Sequence, residues 1–222
     1  GWTPGITGRR VMRWINHGYF ILRGQDKAAS ARFFQSLGQQ ALFVSKRWSS
    51  APHGLRRFEA LSGAIHAGVS LQGMAYLVDP ALNALAAECD TYVDPQGAVE
   101  TRNPEDLLGV LSLLNWTAQS LETAEHRVPR RLRQAQARIA PTLRALRHAD
   151  GNLARFHGGG NGIEGRLDEA LALARVRAIP GPELHMGYAR LTGGRTTVIA
   201  DAAAPPVEMH PLTPTPAHWR SS

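Results

Sequence analysis

MGYARLTGGRTTVIAD, residues 186–201, is the stretch on which the fold turns. Met186 to Leu191 and Thr196 to Ala200 are short strand-like runs on either side of Thr192-Gly193-Gly194-Arg195, which reads as a hairpin turn. This is the one convincing β signal in the chain. An isolated two-stranded hairpin is marginal in water. The hairpin therefore packs on helices or opens a sheet whose remaining strands lie elsewhere.

Working back from it, the preceding segments carry helical periodicity. Val11, Trp14, Ile15, Tyr19 and Leu22 form one stripe, which predicts a helix over 11–22. Phe33, Phe34, Leu37, Leu42 and Val44 predict another over 29–48. Phe58 to Leu77 is apolar with Gly63, Ala64, Ala67 and Gly68 interspersed, small residues that allow close helix–helix approach. Pro80 stands where a further helix starts, running to about Val93, and Asp94-Pro95-Gln96-Gly97 is a turn. Asn103-Pro104-Glu105-Asp106 reads as an N-cap, a first-turn proline and two dipole-favoured acids opening a helix to Leu121. A basic helix follows over 129–147, with Pro141 as an expected kink. Gly158 to Gly162 is a loop, 163–174 a short helix, and Pro180-Gly181-Pro182 marks a boundary. The tail, with its five prolines from Pro205 to Pro216, has no packing pattern. The expectation is five to seven helices, then one hairpin.

Composition narrows the function classes. The 222 residues include 43% apolar ones, enough for a real core. No apolar run reaches the length of about 18 residues that a membrane-spanning helix needs. A single cysteine, Cys89, excludes an internal disulfide and a Cys-based zinc cluster. The net charge of +7 divides into +8 over residues 1–60, −8 over 61–126, +7 over 127–160 and zero thereafter. Such alternation suits helices with complementary faces better than one nucleic-acid-binding stripe, and no reader motif accompanies it. Twenty-three of the 25 basic residues are arginine, which binds carboxylates and phosphates bidentately. The start at Gly1 shows no signal pattern and reads as a piece of something longer, from which a removed signal is not excluded.

The order of motifs points further. Helical hairpins precede Asp150-Gly151-Asn152-Leu153-Ala154-Arg155-Phe156-His157-Gly158-Gly159, then come Gly187-Tyr188-Ala189-Arg190-Leu191 and Thr197-Val198-Ile199-Ala200-Asp201. This combination resembles the heparinase II/III-like family of polysaccharide lyases, in which an incomplete α/α toroid precedes an antiparallel β-sandwich. The resemblance implies a mainly α fold. Residues 1–179 would be the toroid, truncated at its start, and 180–222 the first sandwich strands with the Pro-rich tail. It also implies β-elimination on an acidic, uronate-containing polysaccharide, and a periplasmic or cell-envelope location. The alternative on the same scaffold is a non-catalytic acidic-polysaccharide-binding or envelope protein. The chain departs from the family's pattern at its chemistry. Gly54-Leu55-Arg56-Arg57 stands where the family has an Asn-His pair, and Asp106-Leu107 where it has a catalytic Tyr and His.

Candidate site residues follow from what elimination needs, a cation to neutralise the substrate carboxylate and a base for the α-proton. Arg56 and Arg102 are candidate neutralisers and His157, beside a triple glycine, the candidate base. Arg57, Glu100, Asn103, Asp106, Arg155 and Asn161 are candidate substrate contacts. Each has a plainer reading. Arg56 and Arg57 suit a solvated basic end, Glu100 and Asp106 a helix N-terminus, and His157 an ordinary loop. Tyr188 reads as a strand core residue. The triple glycine lacks the preceding strand and following Lys-Ser/Thr of a phosphate cradle. The histidines lack ligand spacing, so no metal or other cofactor is expected within this chain, although some members of the family bind a metal in the sandwich.

Overall fold

The computed structural model describes residues 2–160, 162–177, 184–194 and 196–203. Eight α-helices are described: α1 (Pro4–Asn16), α2 (Gly18–Leu22), α3 (Lys27–Arg47), α4 (Leu55–Ser70), α5 (Val78–Tyr92), α6 (Pro104–Thr123), α7 (Arg130–Ala145) and α8 (Arg166–Ala174). They are followed by strands β1 (Leu184–His185), β2 (Tyr188–Gly193) and β3 (Thr196–Asp201) in one antiparallel sheet of order β1-β2-β3. The chain is mainly helical, as its periodicity requires.

Local chemistry sets most of the boundaries. Pro4, at the first turn, starts α1 well before the apolar stripe does. The single helix expected over 11–22 is in fact two. The backbone leaves helical geometry at His17 (φ −105°, ψ 9°), and the short α2 holds Tyr19 and Phe20 at 86% and 78% exposure. Asp26 caps α3 by accepting from the Ala29 N–H at 2.6 Å. Asn103 caps α6 as read, its Oδ1 accepting from Glu105 N at 2.9 Å and Asp106 N at 3.4 Å. Pro141 does not end α7, because only one further turn follows it and the face of Leu132, Ile139 and Leu143 stays buried.

α4 is apolar on nearly every side, and Phe58 to Gly68 are all buried, so α1, α3, α5 and α6 surround it. α1 crosses α4 at two glycines. A Cβ on Gly63 would lie 2.4 Å from Gly8 Cα, and one on Gly8 would lie 2.3 Å from the Glu59 carbonyl oxygen. On the far side Gln136 donates to Asn115 (2.7 Å) and Asn115 donates to the Ala170 carbonyl (2.8 Å), tying α7 and α8 to α6 through a satisfied buried network.

The sheet has three strands where one hairpin was expected. Met186 and Gly187 both have positive φ (53° and 80°), the backbone of a type I′ turn, and this turn pairs Leu184-His185 back onto Ala189-Tyr188. β2 and β3 then pair from Gly193↔Thr196 to Tyr188↔Asp201. Met186 and Tyr188 are buried in the same apolar cluster as the helices, so the sheet packs on them. Pro180-Gly181-Pro182 and the tail lie outside the described residues.

Candidate functional site

Two neighbouring arrangements collect the polar groups, and α6's first turn borders both. The first is a clamp between the helices and the sheet. Arg102, 8% exposed with φ 50°, lies just before α6. Its Nε donates to the Met186 carbonyl at 3.1 Å, its Nη2 pairs with Asp201 on β3, and its guanidinium sits 4.9 Å from the Tyr188 ring centroid. Tyr188 Oη donates to the Arg102 carbonyl at 2.6 Å. Burial pushes the Tyr188 phenol up to about 12, with Asp201 adding to the shift and Arg102 opposing it, so the phenol remains a donor. His157 Nε2 lies 3.2 Å from the other Asp201 oxygen. For Asp201, partial burial works upward, but the hydrogen bond from Arg102 leads a set of interactions that holds the carboxyl below its ordinary range. Asn103 Nδ2 donates to the His157 carbonyl (3.2 Å), and Glu105 accepts from Gly160 N (2.7 Å). Arg102 and His157 thus converge on the protein's own Asp201, and Asn103 holds the His157 backbone beside them.

The second is a cavity of about 750 Å³ between α1, the start of α4, α6, and the loop leading into α8. Met12, Leu55, Leu113 and Trp116 supply its apolar surface. Arg9, Arg13 and Arg166 bring positive charge, and Glu59, Glu105, Asp106 and Glu169 bring negative. The buried Glu59 is already engaged, accepting from Arg9 Nε at 2.7 Å and Arg56 Nη1 at 3.1 Å. Burial raises the Asp106 carboxyl above its ordinary range, with Glu105 adding to it and a Thr101 hydrogen bond and Arg56 opposing it. Burial likewise pulls the Arg166 guanidinium down, where Arg9 and Arg13 crowd it and Glu105 and Glu169 support it. Among the described residues Arg13 and Arg166 enter no ion pair.

The remaining candidates lie outside the clamp. Arg57, in the first turn of α4, is locked against the segment before the helix, donating to the carbonyls of Ala51 (2.6 Å) and Ser49 (3.2 Å) and facing Glu88 at 3.5 Å. Arg56 is half exposed beside Glu59, Glu100 is exposed near Tyr92, and Arg155 is exposed. Asn161 lies outside the described residues. Sequence reading missed Arg9, Arg13, Glu59 and Arg166. The signal was present: Gly109, Leu113, Trp116, Ser120 and Thr123 recur at four- and three-residue steps along one face of α6, but such a stripe reads first as core. Among the described residues no three His, Cys, Asp or Glu side chains are placed to hold a metal ion, and no helix is long and apolar enough to cross a membrane.

No family model matches the chain, and no solved structure matches it. A curated protein does. The chain is similar to FtsZ-localized protein C of Caulobacter vibrioides (strain NA1000 / CB15N). Identity is 35% over 210 residues, covering 93% of this chain and 36% of that protein, so the chain spans about a third of the relative's length. This likeness overturns the expectation of an acidic-polysaccharide lyase, together with its polysaccharide-binding envelope alternative. The expected periplasmic or envelope location falls with them, since the relative is named for localisation with FtsZ.

Proposed function

We propose that this chain is an assembly module of the cell-division apparatus that associates with FtsZ or with a complex containing it. The carrying observation is the 35% identity to FtsZ-localized protein C across 93% of the chain. The geometry supports a binding role. The clamp residues are engaged with one another, whereas the cavity offers charges of both signs to a partner. As to fold, we propose that the helical hairpins around α4 and α6 form part of an α/α toroid related to the heparinase II/III-like scaffold, used here without its elimination chemistry. The motif order and the sheet following the helices support that reading.

The test is direct. A fluorescent fusion of the full-length protein, imaged in its own host beside labelled FtsZ, is expected to co-localise with FtsZ through the division cycle. A signal that stays diffuse while FtsZ is assembled overturns the proposal.

A further inference from the structure

The charged cavity does not end at Trp116. Asn16 and Trp116 also line a second cavity of about 430 Å³, so the two cavities adjoin at these residues and follow one another along α6 as the two halves of a candidate groove. Among the described residues its far half has no aspartate, glutamate, lysine or arginine: Ser70, Gln119, Ser120 and Thr123 line it with His66. His66 is 3% exposed, and its Nδ1 lies 2.8 Å from the Ser62 carbonyl oxygen. A carbonyl only accepts, so Nδ1 carries the hydrogen and Nε2 keeps a bare lone pair. Among the described residues no donor meets Nε2, and burial holds the ring neutral by lowering its pKa.

The two halves select different groups. Neutral amides, hydroxyls and an imidazole acceptor match the alternating N–H and C=O groups of a peptide main chain. The charged half is lined by Arg13 and Arg166 together with Glu105 and Asp106, beside the apolar Met12 and Leu113. A polyanion would meet the carboxylates there and a polycation the guanidiniums, whereas a segment carrying both signs satisfies both sets of groups. From Glu105 to Thr123 the helix rises about 27 Å at 1.5 Å per residue, the span of about eight extended residues.

We infer that this groove seats an extended peptide segment of mixed charge, about eight residues long, supplied by the protein partner. The inference rests on the assembly reading and names the site and the chemistry through which assembly occurs. Purified full-length protein is titrated with purified FtsZ, alongside variants that should fold. Arg13→Glu reverses an exposed charge, and Ser120→Trp fills the neutral half. Each is expected to weaken binding at least tenfold, about 1.4 kcal/mol, while the α2 pair Tyr19→Ser and Phe20→Ser leaves it within twofold. A photo-crosslinker at Gln119 should then attach to one contiguous FtsZ segment with both charge signs within eight residues. Loss of binding only in the α2 variants, or a crosslink to a segment of one charge sign, overturns the groove while the assembly reading stands. If FtsZ does not bind the unaltered protein, the groove inference fails, and association through a complex containing FtsZ is decided by the co-localisation.

Discussion

Arg102 shows what one residue carries here. It holds a left-handed backbone that disfavours a side chain, and its side chain bonds Met186 and Asp201 across the helix–sheet boundary. Arg102→Ala is expected to cost about 2 kcal/mol, because a charge-assisted bond and a buried carbonyl's partner go together. Arg102→Gly is expected to cost less than Arg102→Ala by about 0.5–1 kcal/mol, since glycine removes the φ penalty while losing the same contacts. Urea titration of both variants checks the pair, and equal losses would mean that the backbone stores no strain. Asp106 works the other way. Its carboxyl is raised above the ordinary value by burial, so ionisation at neutral pH opposes folding. Asp106→Asn is expected to raise the melting midpoint at pH 7 by a degree or two, about 0.5 kcal/mol for a half-buried group. A lowered midpoint would show that the carboxylate is needed in the charged cavity.

Helices α1 and α4 meet through backbone, so the scale of the element is set by two absent side chains. Gly8→Ala and Gly63→Ala are each expected to destabilise by about 2–3 kcal/mol, although alanine is the better helix former by about 1 kcal/mol. The obstructing atoms are main chain, at 2.3–2.4 Å, and cannot rotate away. Gly38 on α3 is the control. Its Cβ would meet only the flexible Met74 Cε at 3.4 Å, so Gly38→Ala is expected to stabilise by about 0.5 kcal/mol. Thermal melts of the three variants test the contrast. Similar shifts in all three would mean that α1 and α4 are not in backbone contact.

Across the whole molecule, acid is expected to act in two stages. His66, held neutral by burial, is protonated more readily in the unfolded chain. Its contribution is therefore intact above the ordinary value of about 6.5 and declines as pH falls below it. Asp201, held below the ordinary carboxylate value, contributes stability that is lost as pH falls from about 3.8 through its folded value, loosening the sheet from the helices. Asp106 opposes this, gaining stability on protonation at intermediate pH. Urea midpoints between pH 7.5 and 3 should decline first over the histidine range, and His66→Gln should flatten that first decline. A decline unchanged by His66→Gln would assign it to other histidines. Hydrogen exchange in β2 and β3 should accelerate in the second stage, before that in α4.

The sequence by itself determined the helical class, the Asn103 cap, the turn at Asp94–Gly97 and a hairpin between the runs 186–191 and 196–200, because each rests on local backbone chemistry or short-range periodicity; the structure moved its strands to 188–193 and 196–201. The resemblance built on motif order carried expectations about activity that the likeness to FtsZ-localized protein C corrected, since an order of motifs says nothing about the groups at a site. Tertiary structure alone decided that Arg102 and His157 meet on Asp201, 44 residues beyond His157, and that α6's regular stripe lines a groove over part of its length. Periodicity reports which residues share a face. What that face meets depends on helices brought together from distant parts of the chain, and on the two glycines that let α1 settle against α4.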